Sequence, residues 1–238
     1  MKKLFIIANW KANKTTNETE KWLHEFSDRL NSETLDLSNK EIIVCPSFTN
    51  LEHANYFSGN LKLPIKIGAQ NVSRFKAGAL TGEVTVEMLT GTVDYCIVGH
   101  SERRKYFNET DDDVIEKIKY LLEYKITPIL CVSDLSQLNS YTEREEQIIK
   151  NTEKIIFVYE PPSAISGGGD YKPDSPEDAV SNVKKIKEKI GQSLGILYGG
   201  SINSQNAGTF FAHPEIMGGL VGQASLDPNE FFSIVKNA

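Results

Sequence analysis

The sequence predicts an α/β fold: a single (β/α)8 barrel in which eight parallel strands close into one sheet, built as one domain over residues 1–238. Three observations predict it. Eight short runs of apolar, often β-branched residues recur along the chain. Most are continuously apolar rather than alternating, the pattern of strands covered on both faces, as in parallel sheets. Amphipathic or charged stretches separate them, leaving about 30 residues per unit, the size of a strand-plus-helix step.

Residues 4–8 follow Lys2-Lys3, as in a signal peptide. The apolar run stops at Asn9-Trp10-Lys11, however, short of the roughly 7–15 residues of a signal core, so it reads as a buried first strand. Residues 18–30 read as a helix, with Trp22, Leu23, Phe26 and Leu30 at helical spacing. Strands two, three and four are residues 42–45, 65–69 and 95–98. Residues 114–122 place Val114, Ile118, Leu121 and Leu122 on one helical face. The acidic start Asp111-Asp112-Asp113 suits the partial positive charge of a helix N-terminus. Strands five and six are residues 128–132 and 155–159. The helix over residues 176–190 opens with Ser175-Pro176-Glu177-Asp178, an N-cap followed by a first-turn proline. It aligns Ala179, Val183, Ile186 and Ile190. Residues 194–198 and 219–222 complete the strands. Charge runs on these helices read as solvated faces. An open doubly wound sheet is the alternative. It would usually have fewer strands and a glycine-rich turn after the first, where this chain has Asn9-Trp10-Lys11.

Hydrophobic residues make up 39% and charged residues 24%, so the chain can bury a sizeable core and disorder is disfavoured. The net charge of −6 argues against nucleic acid or an anionic membrane as main partner. An anionic ligand needs a local site that overcomes an acidic whole. No apolar run approaches the roughly 20 residues that span a bilayer. Cys45, Cys96 and Cys131 are odd in number, lack a Cys-x-x-Cys spacing and sit in strand-like runs. They read as reduced core thiols of a cytoplasmic protein.

A barrel of this kind places its chemistry at the C-terminal ends of its strands. Strand one ends in Asn9-Trp10-Lys11, strand four in Gly99-His100-Ser101-Glu102, strand six in Glu160-Pro161-Pro162, strand seven in Gly199-Gly200-Ser201 and strand eight in Gly222-Gln223. Taken singly, Glu160 fits a structural salt bridge, His100 a satisfied structural histidine and Lys11 a surface lysine. Topology sets them on one rim. The two glycine turns match the place where barrels bind phosphate, because glycine lets backbone N–H groups approach an anion; tight turns alone are the plainer reading. Ser166-Gly167-Gly168-Gly169 lacks the Gly-Lys-Ser/Thr of a nucleotide loop and reads as a lid or a flexible loop. No metal-ligand cluster or cofactor fingerprint is visible, so none is expected. A carboxylate, an imidazole, an ammonium and a phosphate cradle suggest proton abstraction beside a carbonyl in a phosphorylated metabolite. Lys11, His100 and Asn9 are the donors for charge developing on an enediolate oxygen.

The chain resembles the triosephosphate isomerase family from end to end. The matching segments are Asn9-Trp10-Lys11, Gly68-Ala69-Gln70-Asn71, Gly78 with Thr81-Gly82-Glu83, residues 98–104, Tyr159-Glu160-Pro161, Tyr198-Gly199-Gly200-Ser201, and Leu220-Val221-Gly222 with Ala224-Ser225-Leu226. Any one is weak; together, in order, they are specific. The resemblance implies interconversion of dihydroxyacetone phosphate and D-glyceraldehyde 3-phosphate without a cofactor. Glu160 then shuttles a proton between two substrate carbons, and His100 acts on the oxygens as a neutral electrophile. Lys11 supplies positive charge and Asn9 helps position the oxygens. Ser166, Ser201, Gly222 and Gln223 offer donors to the phosphate, and residues 161 to about 169 form the lid. Triosephosphate isomerases are themselves the standard example of such a tuned base and histidine and of a closing lid. The loop over residues 72–83 implies a homodimer in which Thr81 reaches the partner's site. Other readings are a different phosphate-binding barrel enzyme, or a catalytically silent barrel used for binding.

Four departures stand out. The lid reads Glu160-Pro161-Pro162-Ser163 where Glu-Pro-Val-Trp is usual, and Ser166-Gly167-Gly168 replaces Gly-Thr-Gly in a longer segment. Cys131-Val132-Ser133-Asp134 replaces Cys-x-Gly-Glu. The stretch from Asp134 to Glu160 is shorter than usual. Gln223 replaces a glycine; it keeps the N–H but adds a side chain that disfavours a positive φ.

Overall fold

The structure, a computed structural model, describes residues 2–144, 146–161 and 173–238. Eight strands lie at Leu4–Asn9 (β1), Lys40–Cys45 (β2), Ile65–Ala69 (β3), Tyr95–Val98 (β4), Thr127–Val132 (β5), Ile156–Tyr159 (β6), Gly195–Tyr198 (β7) and Gly218–Val221 (β8). They pair in chain order into a closed parallel barrel. β8 returns to β1 in the register Phe5 to Gly218 through Ala8 to Val221. β3 and β4 have the expected ends; the other strands differ from theirs by one or two residues, β1, β2 and β5 running longer, β6 and β7 starting one residue later and β8 shifted back by one.

Successive side chains of a strand point to opposite faces, so continuous apolarity means two buried faces. Phe5, Ile7, Ile43, Ile97, Ile129, Val158 and Leu197 fill the barrel interior. Ile6, Ala8, Ile42, Val44, Val98, Leu130 and Val132 face the helices. Burying one such side chain fully contributes roughly 1.5–3 kcal/mol, before entropy, so both layers matter to closure.

The surrounding helices are Thr16–Ser32 (α1), Leu51–Asn60 (α2), Val86–Leu89 (α3), Ser101–Phe107 (α4), Asp111–Glu123 (α5), Leu135–Arg144 (α6), Glu146–Ile149 (α7), Pro176–Ile190 (α8), Ala207–Phe211 (α9) and Pro228–Asn237 (α10). α1 starts two residues before the expected residue 18 because Thr15 and Glu18 form a reciprocal capping box. Thr110 and Asp113 do the same for α5. The acidic run Asp111-Asp112-Asp113 lies in the first turn of α5, as expected, and two of its carboxylates also pair with cations, Asp113 with Arg74 and Asp111 with Arg104 at 2.8 Å. Ser175 caps α8 through the Asp178 N–H, with proline in the first turn, as expected.

The three cysteines are buried and free. Burial pushes each thiol far above its usual range. Among the described residues, no helix is long and apolar enough to cross a membrane.

Candidate active site

Asn9, Lys11, His100, Glu160, Ser201, Gly222 and Gln223 line one cavity of about 240 Å³ at the C-terminal rim of the barrel. Strand ends scattered over more than 200 residues of chain thus contribute to one space. Ser166, and the lid beyond Pro161 as far as residue 169, lie outside the described residues. Thr81 lies on the exposed loop between β3 and α3, and is not part of this lining.

Asn9 closes β1, and its Oδ1 accepts the Lys11 N–H at 3.1 Å. Lys11 has φ +52°, the left-handed region, a strain on the order of 1 kcal/mol for a residue with a side chain. Gln70 holds the strained turn: its Nε2 donates to the Lys11 carbonyl and to the Cys45 carbonyl, both at 2.9 Å. The ammonium of Lys11 donates to Glu102 Oε1 at 2.6 Å. The sequence reading missed the role of Glu102, although it sits in the segment that follows β4; a lone glutamate two residues beyond a histidine gives no local signal of its partner.

His100 is the N-cap of α4. Its Nδ1 accepts the Glu102 N–H at 3.2 Å, which assigns Nδ1 as the unprotonated nitrogen and puts the proton of a neutral ring on Nε2. Nε2 lies 3.0 Å from Glu160 Oε1. Glu160 follows β6 directly and is 1% exposed. An unpaired carboxylate there would be very costly. Its Oε2 accepts the Ser101 N–H at 3.0 Å, and its own N–H donates to the Val132 carbonyl at 2.9 Å. Burial, with the Glu160 charge nearby, keeps the Cys131 thiol protonated. Space for the carboxylate arm comes from Gly199: a Cβ there would sit 2.9 Å from Glu160 Cγ and 2.6 Å from Val158 Cγ1.

The opposite end of the cavity is backbone-rich. Gly200 and Ser201 follow β7, and Gly222 leads into a 3₁₀ turn over Gln223–Leu226. Gln223 is not among the residues with positive φ, so its side chain brings no left-handed strain, and the expected conflict with glycine's role does not arise. Asp134 caps α6 by accepting the Ser136 N–H at 2.7 Å. Among the described residues, no cluster of three or more His, Cys, Asp or Glu side chains is arranged to hold a metal ion.

Residues 4–238 match the family model described as triosephosphate isomerase. The chain is 41% identical to a triosephosphate isomerase of Aquifex aeolicus over 97% of each chain. It is 40% identical to one of Alkaliphilus metalliredigens over 99% of this chain and 100% of the other. It is 38% identical to one of Dictyoglomus turgidum over the full length of both. With a family model spanning nearly every residue and full-length relatives at this identity, the chain belongs to the triosephosphate isomerase family.

Proposed function

We propose that this chain interconverts dihydroxyacetone phosphate and D-glyceraldehyde 3-phosphate by proton transfer through an enediolate, as one domain over residues 1–238 in a cytoplasmic homodimer. The observation that carries this reading is the His100 Nε2 to Glu160 Oε1 approach of 3.0 Å inside the cavity that also holds Lys11.

Glu160 is the base. It removes the proton from the carbon beside the carbonyl; the C–H electron pair becomes the new C=C bond, and the carbonyl π pair moves to oxygen. The protonated Glu160 then returns the proton to the neighbouring carbon. For this the carboxylate must turn from the Ser101 N–H toward substrate. His100 Nε2–H donates to the substrate oxygens, and the neutral ring can move a proton between them. Lys11 Nζ and Asn9 Nδ2 stabilise the oxyanion. Aimed donors of this kind act where charge develops and need no reorganisation during the reaction. Ser201, Gly222, Gln223 and Ser166 bind the phosphate. Closure of residues 161 to about 169 excludes water and suppresses loss of phosphate from the enediolate.

Exposed apolar side chains support the dimer. Phe75 on the loop between β3 and α3 is 41% exposed and Phe107 at the end of α4 is 67% exposed, and both line one cleft. The same loop carries Thr81, proposed to reach the partner's site.

The test is a coupled assay with D-glyceraldehyde 3-phosphate. Turnover is expected from the wild type, with kcat falling about 10²- to 10⁴-fold in Glu160→Gln, the range a positioned base contributes. Wild-type turnover no higher than background, or equal turnover in Glu160→Gln, would overturn the reading.

A further inference from the structure

The loop after β4 carries His100 and also the Ser101 N–H that holds Glu160, so its backbone sets the geometry at both proton-handling groups. Gly99, just before His100, has φ +71°, a conformation that glycine adopts readily. Its peptide groups are gripped from two sides. The N–H donates to Glu109 Oε1 at 3.2 Å, and the carbonyl, which belongs to the peptide joining Gly99 to His100, accepts from Arg104 Nε at 3.2 Å.

Arg104 is itself clamped. Its Nη1 donates to Asp111 Oδ1 at 2.8 Å, and its Nη2 donates to the phenol oxygen of Tyr141. The Tyr141 hydroxyl closes the triangle by donating to the same Asp111 oxygen at 3.3 Å. Tyr141 is completely buried, and burial keeps its phenol protonated and able to donate. It lies on α6, between β5 and β6.

We infer that Tyr141 is a positioning residue for the isomerisation, holding Arg104 against the Gly99–His100 peptide and so aiming the His100 imidazole and the Ser101 N–H. Its hydroxyl accepts one bond and donates another, which no apolar ring can do. Without it, Arg104 Nη2 is left without that partner in a mostly buried place, and the guanidinium gains a reason to turn away from the Gly99 carbonyl. The segment between β5 and β6 thereby reaches the reaction without touching any substrate atom. The inference rests on the isomerase reading, with His100 and Glu160 as the working pair.

The experiment compares Tyr141→Phe with Leu138→Ala, which empties packing space on the same helix at another fully buried position. A shift of about 1 Å at a reacting group can cost on the order of a hundredfold. Loss of one restraint is therefore expected to lower kcat about tenfold in Tyr141→Phe, with KM within about twofold. ¹⁵N NMR of the His100 ring should show the proton on Nε2 in the wild type and a tautomer mixture in Tyr141→Phe. Leu138→Ala should lower Tm while leaving kcat within about twofold of wild type. The inference is overturned if Tyr141→Phe keeps kcat within twofold, if Leu138→Ala slows turnover as much, or if the His100 tautomer is unchanged in a slowed Tyr141→Phe. If Tyr141→Phe does not fold, Asp111→Ala removes the oxygen that both Arg104 and Tyr141 bond, opens the same clamp from α5 and carries the same expectations. Absence of turnover in the wild type itself would instead strike the isomerase reading.

Discussion

The two ends of the cavity are made of different material. At the end formed by β1, β4 and β6, side chains do the chemistry and other groups hold them. Lys11 is held by Glu102 at 2.6 Å, His100 by the Glu102 N–H at 3.2 Å and Glu160 by the Ser101 N–H at 3.0 Å. At the end formed by β7 and β8, the turns themselves are presented, and the bonds that fix them grip carbonyl oxygens. Asn206 Nδ2 donates to the Ser201 carbonyl at 3.0 Å, and the Ser225 N–H and hydroxyl donate to the Gly222 carbonyl at 2.9 and 2.7 Å. The reason for the contrast is chemical. Moving a proton requires one atom of the right basicity at one point, so side-chain identity decides. A phosphate offers several similar oxygens and is satisfied by N–H groups that every residue but proline carries. Sensitivity to substitution should therefore be lopsided.

After loss of the base Glu160, the largest effect should come from His100. Replacing one aimed donor at a developing oxyanion costs about 10²- to 10³-fold in kcat, so His100→Gln is expected to fall in that range, with KM within about threefold. Steady-state kinetics decide it. A raised KM with unchanged kcat would mean that His100 binds ground and transition states alike, and the distinction between the two ends would collapse.

The next effect is on stability, and it lies behind the same end. Glu109 is buried, which alone would raise its carboxyl, but the Lys117 and Arg103 cations more than offset this and hold it below its ordinary 4.5. A carboxyl depressed in the folded state stabilises at pH above the unfolded value, and that contribution disappears as pH falls through the folded value. Glu109→Gln should thus be less stable than wild type by about 3 kcal/mol near neutrality, the scale for breaking a buried pair. The gap should narrow as pH drops below about 4.5. Urea unfolding between pH 7 and pH 3 measures it; a gap that stays constant or widens in acid would contradict the assignment.

Much of the barrel was legible in the sequence because strands covered on both faces leave continuous apolar runs, and all eight runs overlap a strand. The rim residues could be gathered because topology alone brings strand ends together. What the sequence hides are pairings across long separations. Nothing local links Lys11 to Glu102, Gln70 to the Lys11 carbonyl, or Tyr141 to Arg104. Of the ten α-helices among the described residues, only α1, α5 and α8 were drawn residue by residue from an apolar stripe; α2, α9 and α10 were not. α3, α7 and α9 span only four or five residues, too short for a periodic stripe to register.

The smallest effect should come from Gln223, where the chain departs from the family at the phosphate turn. Its side chain is exposed, its φ is not left-handed, and what it offers an anion is the N–H at the head of a short 3₁₀ turn. Glycine in its place would present the same N–H on a backbone already held by Ser225, so Gln223→Gly should change KM by less than about threefold and leave kcat unmoved. Gln223→Pro removes the donor instead. A lost bond to a charged group is worth about 1.5–3 kcal/mol, so KM should rise on the order of 10- to 100-fold. If Gln223→Gly weakened substrate as much as Gln223→Pro, the amide side chain would be the true contact. The phosphate end would then depend on side-chain identity just as the proton-transfer end does.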